Sequence, residues 1–350
     1  MSATYPRFMP VACVFLALAT TVVARADDLT PRPTMGEILR LDAEAEEILA
    51  KDATIEVLGS GLDWSEGPVW IPRDARQPDG GGYVIFSDVP QNRVHRWKEG
   101  DGLSVFMAPS GYTGLPGYTP APGSNGLALD RQGRIVFCEH GDRRVSVLTP
   151  GAGKRTLADN YQGRRFNSPN DCTIDAAGAI YFTDPPYGLP EGPQDKKFRE
   201  LDWCGVYRIA PDGGVTLLTR EMTFPNGIAL APDGRTLYVA QSDPAAAIWK
   251  AFPVKEDGTL GASRVIADAT AMVSGHRGLP DGLEVDVAGR LWATGPGGVH
   301  VMRPDGKLIA RIDPRMACGN CCFGGDDGSW LYICSDAFLV RIQTKTRGWR

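Results

Sequence analysis

One pattern recurs six times between Ile55 and Ile342: a turn, a short apolar strand, a second turn such as Pro-Asp-Gly, a second strand and a third. The copies open at Glu66-Gly67-Pro68-Val69-Trp70, Asn125-Gly126-Leu127, Asn170-Asp171-Cys172, Asn226-Gly227-Ile228, Asp281-Gly282-Leu283 and Cys321-Cys322-Phe323. Second strands follow in each, among them Tyr83-Val84-Ile85-Phe86, Ile180-Tyr181-Phe182 and Leu331-Tyr332-Ile333. A repeat of roughly 40 to 60 residues is the spacing of solenoids and propellers. A sheet of three or four strands cannot bury both faces alone, so the copies must stack, and radial closure lets all six do so. The chain is therefore expected to be all-β, a six-bladed β-propeller over residues 51–350. Thr54–Leu58, ahead of the first copy, would supply the outer strand of the last blade.

Glycine (42 residues) and proline (27) fall mostly between the apolar runs, as a turn-rich fold requires. Residues 27–50 read as an N-terminal extension in which Ile38, Leu39, Leu41, Ile48 and Leu49, spaced among Glu and Ala, predict a short helix. Ahead of it, Arg7, the apolar run Val11–Val23 and Ala24-Arg25-Ala26 predict a signal peptide over 1–26 and an exported protein, periplasmic or secreted. The run is too short to span a bilayer as a mature helix, so no integral membrane domain is expected after cleavage. Loss of Arg7 and Arg25 would leave 35 basic against 42 acidic side chains. That balance, with no Lys/Arg cluster, argues against a nucleic-acid partner. The mature chain would keep seven cysteines, at 138, 172, 204, 318, 321, 322 and 334. An oxidising compartment leads to the expectation of at least one disulfide. The adjacency of Cys321 and Cys322, without a histidine knuckle, argues against structural zinc.

Equivalent positions in a propeller converge on its axis. Glu66, Asn125, Asn170, Asn226 and Asp281 open five successive copies, so five oxygen-bearing side chains could face one central channel. Carboxylates with amide oxygens form a hard donor set, suited to Ca²⁺ and tolerable to Mg²⁺ or Mn²⁺, with Zn²⁺ a further possibility. Each Asn-Gly or Asp-Gly taken singly is also an ordinary turn. Their recurrence, and the proline shared by Pro169-Asn170, Pro225-Asn226 and Pro280-Asp281, favours a site.

Ser65-Glu66-Gly67-Pro68-Val69-Trp70, Asn167-Ser168-Pro169-Asn170-Asp171, Tyr181-Phe182-Thr183-Asp184-Pro185-Pro186-Tyr187-Gly188, Phe224-Pro225-Asn226-Gly227 and Leu279-Pro280-Asp281-Gly282 occur in that order. With them the chain resembles the gluconolactonase and senescence-marker-protein family of six-bladed propellers, from about Ile55 to Ile342. The resemblance implies a divalent metal, usually calcium, held by Glu66, Asn226 and Asp281, with Asn170 ligating or touching substrate. It implies hydrolysis of small-molecule lactones, especially sugar lactones such as glucono-1,5-lactone, with Asp281 handling the proton.

Asn125, Glu139, His140, Arg143, Asn170 and Tyr187 are the expected substrate contacts, and the Gly111–Gly123 insertion an expected lid or wall, with Tyr112 and Tyr118 stacking on the ring. A metal-dependent hydrolase of another ester, such as an aryl lactone or phosphotriester, and a calcium-stabilised binding propeller are the alternatives. The absence of a Gly-x-Ser-x-Gly elbow argues against a serine hydrolase.

Overall fold

The computed structural model describes residues 31–74, 80–149 and 151–349. The expected signal peptide lies outside the described residues. Arg32–Arg350 forms one compact unit, nearly all β, arranged as a six-bladed propeller. Blade one comprises Ser65–Ile71, Tyr83–Asp88, Arg93–Lys98 and Gly102–Met107 from axis to rim; blade two Ser124–Leu129, Ile135–Glu139, Arg144–Thr149 and Gly153–Ala158. Blade three is built from Cys172–Ile174, Ile180–Asp184, Gly205–Ile209 and Val215–Thr219; blade four from Pro225–Leu230, Thr236–Asp243, Ala246–Pro253 and Arg264–Asp268. Leu283–Val285, Leu291–Gly295, Gly298–Met302 and Leu308–Asp313 make blade five. Asn320–Gly324, Trp330–Ser335 and Phe338–Gln343 make blade six, whose outer strand is the N-terminal Glu56–Ser60, so the ring closes as expected.

The extension differs from expectation. Glu37–Arg40 is a strand antiparallel to Leu308–Asp313, giving blade five a fifth strand, and the helix is a single turn, Ala45–Ile48. The free edge of blade five offered more hydrogen bonds than a short isolated helix could retain. Ala45, Ile48 and Leu49 are fully buried against Ile309, Val340 and Ile342, so this segment belongs to the core.

The cores lie between blades. Val136, Val145 and Val147 of blade two pack on Ile174, Ile180, Phe182 and Ile209 of blade three, each large apolar group contributing about 1.5–3 kcal/mol by leaving water. Six of the seven cysteines, all but Cys204, fill such positions. All are free and buried, so the expected disulfide is not formed: their thiols serve as small apolar side chains, and Cys321 Sγ, for instance, donates to the Trp292 carbonyl at 3.2 Å. Burial pushes the Cys318 thiol up to about 12 and that of Cys334 well above its ordinary value. Among the described residues no helix is long and apolar enough to cross a membrane.

Candidate active site

Inner strands run outward from a common mouth, so the first residue of each copy sits at that mouth and the second lies one layer deeper. The deeper layer is narrow: a Cβ on Gly126 would collide with Asp171, and one on Gly227 with the Asp281 carbonyl. Hydroxyls on the second strands tie neighbouring blades together here. Ser87 Oγ donates to the Asn125 carbonyl at 2.8 Å, Thr183 Oγ1 to that of Asn226 at 2.7 Å, and Thr294 Oγ1 to that of Gly319 at 3.1 Å. The axial ring is thus held in part through its main-chain carbonyls.

Glu66 is buried, with Oε1 accepting from Trp64 Nε1 at 3.2 Å and Oε2 from the Gly67 amide at 3.1 Å. Burial pushes its carboxyl up to about 7. Asp281 is half-buried at the mouth, and its carboxyl is driven well above the usual range, first by desolvation and then by the charges of Glu66 and Asp171. Asn226 donates from Nδ2 to Ser242 Oγ at 2.8 Å, which leaves Oδ1 without a partner. Asn170 Nδ2 faces His140 Nε2 at 3.4 Å, and its Oδ1 is likewise unpartnered and buried. Two carboxylates held in their costly charged environment, beside two buried amide oxygens with nothing to accept from, form a set that a hard divalent cation would satisfy. No group of three or more His, Cys, Asp or Glu is spaced to hold a metal by itself among the described residues. The candidate donors are carboxylate and amide oxygens, a set of the kind hard cations prefer.

Two channel residues escaped the sequence reading. Asp171 and Asn320 occupy the deeper layer where four other copies have glycine, and Asn320 Nδ2 donates across to Asp171 Oδ2 at 3.3 Å. Burial, with the Glu66 charge, raises Asp171 to about 8. Aligning the copies one residue deeper would have found both, since the sixth copy begins at Gly319-Asn320 rather than at Cys321.

The remaining expected contacts divide. Asn125 is buried with Oδ1 unpartnered, and His140 is buried beside Asn170, its imidazole pushed down to about 4 by desolvation and hence neutral. Tyr187 lies against Phe224 at 6.0 Å, its phenol raised by burial and then by the Asp281 carboxylate. Glu139 and Arg143 are instead engaged by the protein. Glu139 is fully buried and bound by Arg144 Nε at 2.7 Å, Lys154 Nζ at 2.8 Å and Ser146 Oγ. Arg143 Nε donates to the carbonyls of Phe166 (2.7 Å) and Asn167 (3.1 Å). In the Gly111–Gly123 insertion Tyr112 stacks on Tyr118 at 5.1 Å, and Tyr118 meets Phe198 edge-on at 5.4 Å. The insertion packs against Gly141, beside His140, and its two rings stack on each other rather than standing free.

A family model described as "SMP-30/Gluconolactonase/LRE-like region" matches residues 64–337, nearly the whole propeller. The chain belongs to this family. A gluconolactonase of Zymomonas mobilis is 38% identical over 324 residues, covering 90% of this chain and 88% of that one. The solved structure of a Xanthomonas campestris gluconolactonase superimposes with a TM-score of 0.74 at 31% identity, covering 90% of this chain and 99% of its own. The pentonolactonase XacC of Haloferax volcanii is 26% identical, with 79% and 83% covered. Among these family members the axial ring of Glu66, Asn170, Asn226 and Asp281 is the feature of this chain on which a chemical reading must rest.

Proposed function

We propose that this family member hydrolyses a lactone, a sugar lactone such as glucono-1,5-lactone before others, to the open hydroxy acid with the help of a divalent cation, calcium first. The observation that carries the reading is the convergence of the Glu66 and Asp281 carboxylates with the unpartnered amide oxygens of Asn170 and Asn226 at one mouth of the channel. The likeness to two gluconolactonases and a pentonolactonase supports the substrate class. The apolar run Val11–Val23 ahead of Ala24-Arg25-Ala26 supports an exported enzyme.

Glu66, Asn170, Asn226 and Asp281 would hold the cation. Bound there, it supplies Lewis acidity, drawing electron density from the lactone carbonyl and stabilising the negative charge that develops on its oxygen. Asp281 takes a proton from the attacking water as the oxygen–carbon bond forms. When the bond to the ring oxygen breaks, the Asp281 carboxyl returns that proton to the departing alkoxide. Asn125, the neutral imidazole of His140 and Tyr187 would orient the ring hydroxyls. The narrow glycine layer beneath keeps the substrate at the mouth.

Asp281→Asn keeps the shape and removes the base. Turnover is expected to fall by about 100-fold or more, with the melting temperature preserved. A variant that turns over at the wild-type rate would remove Asp281 from the mechanism.

A further inference from the structure

In blades one, two and four the second-strand residue paired with the position just ahead of the ring residue is Asp88 (opposite Ser65), Glu139 (opposite Ser124) and Gln241 (opposite Pro225). In blade three Asp184, the last residue of the second strand, takes the corresponding place. Asp88 and Asp184 are 1% and 0% exposed, yet among the described residues neither carboxylate is spent on a close cation pair: Asp88 has only His95, at 3.8 Å. Each turns its two oxygens onto two consecutive backbone amides. Asp88 accepts from Asp63 and Trp64, both at 3.2 Å. Asp184 accepts from Asn167 and Ser168, both at 2.8 Å.

These amides stand in one place relative to the ring. They lie three and two residues ahead of Glu66 in blade one and three and two residues ahead of Asn170 in blade three. Blade four repeats the contact with an amide, Gln241 Oε1 accepting from Thr223, three residues ahead of Asn226, at 3.0 Å. Three of the four candidate ligands are thus preceded by a lead-in segment pinned from its own blade. In blade two, which presents Asn125, the longer Glu139 turns away to Arg144 and Lys154; of the equivalent positions Pro122 has no N–H and the Gly123 amide donates to the Val89 carbonyl at 2.9 Å.

The pinned residues connect directly to the site. Trp64, held through its amide by Asp88, donates its indole N–H to Glu66. Ser168, held by Asp184, donates to the Pro185 carbonyl at 2.5 Å and accepts from Gly188 at 2.9 Å, which seats the Tyr187 turn beside His140. Arg143 grips the same segment through the Phe166 and Asn167 carbonyls.

We infer that Asp88 and Asp184 are positioning residues, a repeated carboxylate clamp that fixes the segments carrying Glu66 and Asn170 in their ligating arrangement before any cation binds. A carboxyl group that accepts from two adjacent N–H groups holds a segment more firmly than the single hydrogen bond of a turn. Pre-set ligands bind a cation without the ordering cost that a mobile loop would add. The inference rests on reading Glu66 and Asn170 as metal ligands, and it adds to that reading the device that holds them.

Two measurements on the full chain test it. Terbium, a hard lanthanide excited through Trp64, reports binding without turnover, and outer partners of metal ligands are commonly worth about 10–100-fold in affinity. D88N is expected to weaken terbium about tenfold or more per folded molecule, and D184N to raise KM for the lactone by a similar factor. V147A, a core truncation in blade two, controls for lost stability and is expected to change neither. Wild-type affinity and KM in D88N and D184N, or equal weakening in V147A, would overturn the clamp. Hydrogen exchange on the metal-free wild type covers the case in which the variants do not fold. Protection of the Asp63, Trp64, Asn167 and Ser168 amides before metal is added is expected, and protection that appears only with metal would overturn it. Exchange does not depend on lactone hydrolysis, so it distinguishes a failed clamp from a failed reading of the reaction.

Discussion

Replacing Asp171 by Asn should make the metal-free protein less sensitive to alkaline pH. In the folded chain Asp171 is raised from 3.8 to about 8 by burial and the neighbouring Glu66 charge. A carboxyl raised on folding favours the fold fully below its ordinary value, and that contribution is lost as pH climbs toward the folded value. Each tenfold change in proton affinity is about 1.4 kcal/mol, so ionising Asp171 by pH 8.5 costs the fold on the order of 5 kcal/mol. The asparagine keeps an oxygen for the Cys172 amide, at 2.8 Å in the wild type, but loses its acceptor for Asn320, a loss of about 1 kcal/mol that is the same at every pH. The signature is therefore a slope. About 4 kcal/mol of that falls between pH 5 and pH 8.5, so with chelator present the wild-type melting temperature should fall by roughly 8 °C more than the variant's over that range, at about 2 °C per kcal/mol for a domain this large. Glu66, Asp184 and Asp281 titrate in both proteins and leave the variant some slope. Differential scanning fluorimetry at half-unit pH steps reads the comparison, and parallel curves for the two proteins would refute the picture of three mutually repelling carboxylates on the axis.

Other consequences are simpler to check. Arg341 joins Glu56 and Glu99, both at 2.8 Å, and lies 4.0 Å over Trp330, so it clasps the N-terminal strand to blades one and six. Arg341→Met should lower stability by about 2–3 kcal/mol while leaving turnover at 25 °C unchanged, as read by paired melting and rate measurements; an equal loss of turnover would mean the clasp reaches the site. Thiol titration of residues 27–350 without reductant should find no reactive cysteine in the native state and seven after unfolding. Five or fewer after unfolding would reveal a disulfide.

Much of this was legible in the chain. The six copies, the closing strand and the ring positions could be read because alternating turns and apolar runs repeat in register, and because a propeller sends equivalent residues to one axis. The outer strands were faint: Gly102–Met107, for example, is half exposed and carries no continuous apolar face. The apolar residues Ile38, Leu39, Leu41, Ile48 and Leu49 suit either period, so the sequence predicts a helix there, and only the open edge of blade five decides for a strand at Glu37–Arg40. Glu139 and Arg143 illustrate a different limit. Both are charged residues near the mouth in sequence, and only the tertiary partners Lys154, Arg144 and the Phe166 and Asn167 carbonyls show that their charges are already committed.

The most direct test of the whole account is the initial rate of ring opening on glucono-1,5-lactone and a small panel of other lactones, measured after chelation and again with calcium restored, and corrected for spontaneous hydrolysis. Loss of turnover on chelation and its return with calcium is the predicted result. Folded protein that opens no lactone with any divalent cation, or opens one at the same rate after complete chelation, would contradict it.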